Sequence, residues 1–210
     1  MFPKELIGIL FIALAAILIA ILVATSSNKK TKLTAAELKG KRGESKINQI
    51  LETIAKPGDK IINDVLFELE PGNSCQIDHI FISRNGIYVI ETKNHAAKAY
   101  VKNGQYREYY YKSKKMFFND PRSQNQEHIT KLATKLSIPR RYMKSVVVYV
   151  NSNAKKIKVP GTYTEKTFKY AFGRNQKLLS QAEVDYFFKA ISTLKLNCKI
   201  TLEQHKRNYI

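Results

Sequence analysis

The stretch CQIDHIFISRNGIYVIETK, residues 75–93, decides how this chain folds. It predicts two strands, over residues 75–82 and 87–93, because an Asn-Gly pair between two apolar runs is a strong hairpin signal. Asp78, Glu91 and Lys93 interrupt an otherwise apolar ribbon. Charges in such surroundings cost free energy unless they are paired or used. These three residues are therefore the first candidates for a functional site.

The pairing of the two strands determines which candidates face each other. Glu91 and Lys93 are two residues apart on one strand and share a face. If the turn has four residues, Asp78 lies opposite Glu91; if only Asn-Gly forms the turn, Asp78 lies opposite Lys93. Both registers place the three side chains on one face, where directly paired Cβ atoms are roughly 4.5–5.5 Å apart.

This trio has the chemistry of a metal site. Two neighbouring carboxylates repel each other unless one is protonated or a cation lies between them. Mg²⁺, or Mn²⁺, prefers such oxygen ligands, completed by water and substrate phosphate, so Asp78 and Glu91 are predicted metal ligands. Lys93 could then hold the attacking water and stabilise charge on phosphorus. The alternative is an exposed cluster of ion pairs without catalytic function.

Two predicted helices offer further candidates. Glu44 precedes Ile47 and Leu51 by three and seven residues, so it shares their apolar stripe and could reach the same metal. Alternatively, Glu44 pairs on the helix surface with a neighbouring lysine. Gln124 is expected to face the sheet near the amino end of a later helix, where it could position a phosphate or the metal-bound water.

The histidines are weaker candidates for the site than the carboxylates and Lys93. His128 follows Gln124 by four residues on the same helical face, but a histidine there is more often a satisfied core residue than a ligand. His79 alternates away from Asp78 along the strand. The same caution applies to His95.

Working outward, turn and cap signals predict a mixed α/β fold: one β-sheet with helices packed against it. Helices are expected from the capping box at 34–37, from Asp120-Pro121 to about Leu136, and from the capping box at 180–183 to about Leu194. Strands are expected at 60–70 and 145–150, the latter an apolar run typical of a strand buried on both faces. The tyrosine-rich segment 99–118 is expected to form another hairpin at the sheet edge, and residues 151–175 to be irregular with one short strand.

The charge of the chain points to a polyanionic partner. Lys and Arg number 36 against 17 Asp and Glu, a net charge of +19, and only Lys4 and Glu5 precede residue 28. Such a field attracts nucleic acid or an anionic membrane surface, although it also serves solubility. Tyrosines between lysines in the 99–118 segment could stack bases, or simply pack. The two cysteines lie far apart and outside any CxxC motif, which argues against a zinc site and a disulfide framework.

The amino-terminal segment predicts a membrane anchor. Residues 6–24 (LIGILFIALAAILIAILVA) are uncharged and long enough to match a bilayer core of ~30 Å. Lys29, Lys30 and Lys32 follow directly, so the positive-inside rule places the rest of the chain in the cytoplasm. The expected location is therefore the cell membrane, with a single pass. A cleaved signal peptide, which implies secretion, is the alternative.

Three motifs in order resemble the nuclease-related domain (NERD) family. They are GKRGE at 40–44, QIDHIFISRNGIYVIETKN at 76–94 and NDPRSQNQEH at 119–128. The resemblance covers roughly residues 39–150 and implies the PD-(D/E)xK nuclease superfamily, with its restriction-endonuclease-like core. Residue by residue, it implies that Glu44 is the acidic residue of the first helix, Asp78 and Glu91 the metal ligands, Lys93 the superfamily lysine and Gln124 the glutamine after the proline.

The sequence hypothesis is a membrane-anchored nuclease that uses Mg²⁺ or Mn²⁺ to hydrolyse DNA phosphodiesters. Its expected parts are an anchor at 1–28, a basic linker with the start of a helix at 29–38, the nuclease-like domain at 39–195 and a tail at 196–210. Two rivals remain: a non-catalytic nucleic-acid-binding module at the membrane, and a scaffold whose charge serves anionic lipid.

Overall fold

The computed structural model describes residues 34–71, 73–94, 97–110, 114–117, 119–151, 156–173 and 177–207. The predicted transmembrane segment and basic linker start lie outside these residues, as does His95. Among the residues that are described, no helix is both long and apolar enough to cross a bilayer. The described chain from residue 37 onward forms one compact unit.

The larger of two sheets is mixed and has five strands. Along the chain these are β1 (Lys60–Glu70), β2 (Asn73–Ser83), β3 (Gly86–Asn94), β7 (Met143–Val150) and β9 (Thr162–Thr164). Their spatial order is β1-β2-β3-β7-β9. The first three strands are antiparallel neighbours, whereas β7 runs parallel to both β3 and β9. The strands predicted at 60–70, 75–82, 87–93 and 145–150 are all present.

The β2–β3 ladder selects the first of the two predicted registers. Ile82 pairs with Ile87 and His79 pairs with Ile90, so Asp78, the preceding residue, lies across from Glu91. The last pair is Ser83 with Gly86, which makes Arg84-Asn85 the centre of the turn rather than Asn-Gly. Gly86 has φ 127°, and a Cβ there would lie 2.8 Å from the Tyr142 carbonyl oxygen, so only glycine fits.

A second, four-stranded sheet contains the tyrosine-rich segment. Its order is β6-β5-β4-β8, with β4 at Ala97–Lys102, β5 at Gln105–Tyr110, β6 at Lys115–Phe117 and β8 at Ile157–Lys158. The predicted hairpin is present, because β4 pairs antiparallel with β5, but its predicted place at the edge of a single sheet is wrong. The apolar strand β7 lies beside β3, in the interior of the larger sheet. Both its faces are buried, because the second sheet packs over its Val147 and Tyr149 side chains. The region expected to hold one short strand contains two, β8 and β9.

Helices cover both faces of the larger sheet. On one face α1 (Ala35–Ile54) buries Ile47 and Leu51 against the sheet. On the other face lie α2 (Pro121–Leu136) and α3 (Gln181–Leu196), whose apolar sides pack on β1, β2 and β3. Asp120 caps α2, and Ser180 with Glu183 forms the predicted capping box of α3. A short helix, α4 (Leu202–Arg207), lies in the segment that was expected to be a tail.

Gly43 lets α1 approach the end of β3. A Cβ at position 43 would lie 2.5 Å from the Asn94 Cβ, which is closer than two non-bonded carbon atoms can approach. The Asn94 amide group donates to the Lys39 carbonyl, and its oxygen accepts from Asn151, so this asparagine cannot move aside without losing both bonds. The close approach fixes where the first turns of α1, including Glu44, lie relative to β3.

Gly43→Ala is expected to destabilise the protein by about 1–3 kcal/mol, the usual cost of overpacking. Gly40→Ala is the matched control on the same helix, because its Cβ would meet only the Glu44 Oε1 atom at 3.8 Å. Replacing glycine inside a helix by alanine there should stabilise by up to about 1 kcal/mol. Urea unfolding of both variants measures the difference. Equal stabilities would contradict a close contact at Gly43.

Candidate metal-dependent nuclease site

The centre of the site is the end of the β2–β3 ribbon. The Thr92 backbone N–H donates to the Asp78 Oδ2 atom over 2.7 Å, which fixes the aspartate beside strand β3. Glu91 is only 5 % exposed, although it carries a carboxylate. Both side chains line one cleft, together with residues of α2. The three charged residues of the ribbon thus share one face, as both predicted registers required.

Lys93 connects the ribbon to α2. Its Nζ atom lies 2.7 Å from the Glu91 Oε1 atom and donates to the Gln124 Oε1 atom over 3.0 Å. One ammonium group therefore binds a buried carboxylate and a helix amide at once. These bonds join Glu91, Lys93 and Gln124, and Asp78 lines the same cleft as Glu91 and Gln124, so four of the five site residues predicted from sequence lie together.

Glu44 stands apart from the other four. It lies on α1, which packs on the opposite face of the sheet. The described lining of the cleft includes neither Glu44 nor Lys93, but Lys93 bonds two residues of that lining, Glu91 and Gln124. Burial raises the pKa of Glu44, and the carboxylates of Asp64 and Glu91 add to the shift. Glu44 in turn contributes to the raised pKa of Asp78. It belongs to the same negative field, but it is not one of the described residues that bind Lys93.

The electrostatics of the Asp78–Glu91 pair favour a bound cation. Burial raises the pKa of Asp78 well above its usual range, and the neighbouring Glu91 carboxylate raises it further. The Thr92 N–H bond and the Lys93 ammonium oppose this shift only in part. A buried aspartate that resists ionisation beside a second carboxylate is the arrangement that a bound divalent cation would relieve.

Asp78 and Glu91 are the residues of this site that could hold a divalent cation such as Mg²⁺ or Mn²⁺. Among the described residues, no three His, Cys, Asp or Glu side chains are grouped closely enough to hold an ion between them. Asp78 and Glu91 supply two carboxylates at an open cleft. Mg²⁺ is commonly held by one or two carboxylates and completes its shell with water and substrate phosphate.

The cleft has a volume of about 770 Å³ and is lined largely by polar side chains. One wall is a stripe along α2 and the residues before it. Sequence reasoning did not assign Asn119, Asp120, Ser123, Glu127 and Lys131 of that wall, nor Cys75, Gln76 and His205 elsewhere in the lining. Asp120, Glu127 and Lys131 are spaced three or four residues from Gln124 or His128, so the helical period was the signal that could have found these three.

His128 is not the satisfied core histidine that sequence reasoning favoured. Its Nδ1 atom is buried, has no hydrogen-bond partner in the described part of the chain and lies 3.6 Å from the Glu91 Oε2 atom. Burial lowers the pKa of His128, while Glu91 opposes that shift. His79 does face away from the cleft, as expected, and its Nδ1 atom lies 2.9 Å from the Asn63 side-chain oxygen.

Asn125 holds α2 against the sheet and was not anticipated. It is fully buried, and its amide group donates to the Val89 carbonyl over 2.9 Å and to the Ser145 hydroxyl over 2.8 Å. These bonds tie the helix to both β3 and β7. Because Gln124 is the adjacent residue, Asn125 also sets the position from which Gln124 meets Lys93.

Comparison with known proteins agrees with this geometry. The sequence pattern described as "Nuclease-related domain" (NERD) matches residues 39–150, more than half of the chain. The chain belongs to the nuclease-related domain family. The NERD match begins in α1, ends with β7 and contains every site residue named above except His205.

One relative of this NERD protein comes from Bacillus anthracis. It is an uncharacterized protein that is 33 % identical over 115 residues, which cover 54 % of this chain and 53 % of that protein. The alignment thus spans about half the length of the curated relative. No solved structure matches the chain significantly.

Proposed function

We propose that this NERD protein is a metal-dependent nuclease that hydrolyses phosphodiester bonds, with DNA as its substrate. The observation that carries the proposal is the Asp78–Glu91 pair, which lies on adjacent strands and lines one cleft, with the Lys93 ammonium bound to Glu91. Membership of the nuclease-related family supports a nuclease-like activity and a nucleic-acid partner. The net charge of +19 supports the same partner.

Each residue has a distinct part in the proposed chemistry. Asp78 and Glu91 would hold Mg²⁺ or Mn²⁺, which supplies Lewis acidity and a more acidic bound water when present. Lys93 stabilises negative charge that develops on the phosphate oxygens, and Gln124 keeps the ammonium group oriented. Glu44 strengthens the negative field around Asp78 from the opposite face of the sheet.

The proposal extends to the cellular setting. Residues 6–24 would span the cell membrane once, and the lysines that follow would keep the nuclease domain on the cytoplasmic side. A tethered domain of this kind would meet nucleic acid close to the bilayer.

One observation favours a second candidate, a NERD module that binds nucleic acid without cleaving it. The Lys93 Nζ atom lies 2.7 Å from the Glu91 Oε1 atom and already neutralises part of the charge that a metal would neutralise. Such a module would bind DNA with steep salt dependence that Mg²⁺ does not change.

A plasmid-cleavage assay with the full chain in detergent distinguishes the two candidates. Wild type should nick plasmid with Mg²⁺ or Mn²⁺ and not with EDTA, and Glu91→Gln should lower the rate by at least about 10²-fold because a metal ligand is lost. Glu127→Gln is the matched control: it removes an exposed carboxylate from the same cleft and should retain activity. Equal rates for wild type and Glu91→Gln would exclude this mechanism.

A further inference from the structure

The carboxy-terminal helix α4 forms part of the cleft wall. His205 of α4 lines the same cleft as Asp78 and Glu91, although it lies outside the NERD match. Its Nδ1 atom is 2.7 Å from the hydroxyl of Ser74, which is fully buried on β2. The next residue, Lys206, forms an ion pair with Glu37 of α1. These two contacts fix α4 to β2 and to α1, so the wall is part of the folded domain.

A lysine and a histidine lie near each other in this part of the cleft. Lys131 lines it from α2, one helical turn beyond His128. Burial lowers the pKa of His205, and the cations Lys131 and Lys206 contribute to the shift, so the three groups lie within electrostatic range. Glu127 is the acidic residue that lines the same stretch of wall. This part of the cleft therefore offers one ammonium group and one imidazole beside a single exposed carboxylate.

These two side chains suit the backbone of a nucleic-acid strand. The Asp78–Glu91 pair needs a metal before a phosphate can approach, whereas the Lys131 ammonium group can bind a phosphate directly. Lys131 follows Gln124 by seven residues, a distance of about 10 Å along the helix axis, so it would contact the strand away from the reacting phosphate. Lysine and histidine side chains at such a site would position the strand without reading its sequence.

We propose that Lys131 and His205 form a subsite for a backbone phosphate of the nucleic-acid strand bound in the cleft. The inference rests on the proposed nuclease function. His205 is a positioning residue: it acts on binding of the strand and not on the bond that breaks. Because α4 lies outside the family match, this subsite is a feature that the family assignment does not supply.

Binding of a short fluorescein-labelled DNA duplex to the full chain in EDTA tests the subsite without cleavage. Lys131→Gln should weaken binding by about 3- to 10-fold and make the log–log salt slope shallower by about one. His205→Asn keeps an amide group at the position of Nδ1 for Ser74 but has no counterpart of Nε2, and should weaken binding by about threefold. Lys135→Gln is the control, since this exposed lysine lies one turn further along α2 and outside the cleft lining.

Kinetics separates this inference from the proposed function. With Mg²⁺ present, Lys131→Gln and His205→Asn should raise KM and leave kcat within about twofold, because uniform binding is lost. Affinity and KM equal to those of Lys135→Gln would overturn the subsite while the nuclease function stands. If wild type does not cleave but Lys131→Gln and His205→Asn still bind DNA more weakly than the control, the phosphate subsite stands and the nuclease function fails.

Discussion

Asp78→Asn is expected to raise the melting temperature of the metal-free protein and, at the same time, to abolish DNA cleavage. Asp78 is held beside Glu91 in surroundings that disfavour its charge, since burial and then the Glu91 carboxylate raise its pKa. Asparagine keeps an oxygen for the Thr92 N–H and carries no charge. If removal of the buried charge raises the free energy of unfolding by about 1 kcal/mol, Tm should rise by about 2–4 °C for a domain of this size.

The gain in Tm from Asp78→Asn should increase with pH. Because the folded-state pKa of Asp78 lies above the unfolded value of about 3.9, its contribution to stability is fully present below that value and is lost as pH rises through the folded-state pKa. The difference in Tm between Asp78→Asn and wild type should therefore be absent at about pH 3.5 and grow as pH rises toward neutrality. Thermal melts in EDTA across this range measure it.

A divalent metal ion should make wild type more stable than Asp78→Asn, the reverse of the order expected in EDTA. An ion that binds only the folded protein adds about 2.7 kcal/mol at a concentration 100 times its Kd, so Mn²⁺ should raise the Tm of wild type and leave Asp78→Asn almost unchanged. Asp185→Asn, at an exposed aspartate of α3, is the control and should show the metal response of wild type. A lower Tm for Asp78→Asn in EDTA, or an equal response to Mn²⁺, would mean that Asp78 is only a structural hydrogen-bond acceptor.

The parts of the site that sequence could predict are those fixed by local geometry. Alternation along a strand places Glu91 and Lys93 on one face, and a turn of either four or two residues returns Asp78 to that face. Caps are equally local, so the start of α2 at Asp120-Pro121 is readable without tertiary information. Gln124 then follows at a fixed rotation around the helix. These constraints act over few residues, and distant packing leaves them unchanged.

The parts that could not be predicted depend on contacts between distant segments. No periodicity indicates that Ser74 meets His205, or that the second sheet packs on Val147 and Tyr149 instead of extending the first. The capping box at Thr201 and Gln204 was a readable signal for α4, because each side chain bonds the backbone of the other residue. Its position beside the cleft was not readable, since that depends on Ser74 and on the ion pair between Lys206 and Glu37.

Lys93→Met is expected to abolish cleavage and to destabilise the fold together. Its ammonium group binds Glu91, which is almost fully buried, while Lys93 itself remains 24 % exposed. Removing one partner of a buried pair leaves an uncompensated charge and commonly costs about 3–5 kcal/mol; the partial exposure of Lys93 places the expectation near the lower value. Loss of a group that stabilises transition-state charge should slow cleavage by about 10²–10³-fold. Urea unfolding and plasmid nicking measure the two losses.

The double variant Lys93→Met with Glu91→Gln separates these two effects. The Glu91→Gln change leaves no charge unpaired at position 91, so the double variant should recover most of the stability that Lys93→Met alone loses. Its cleavage should remain absent, because neither a metal-ligating carboxylate nor the ammonium group is restored. If Lys93→Met destabilises the fold for another reason, the double variant should be no more stable than Lys93→Met. Recovery of stability would show that Lys93 serves the fold through its ion pair with Glu91, whereas the nicking rate of Lys93→Met alone, measured below its unfolding midpoint, reports the part of Lys93 in the reaction.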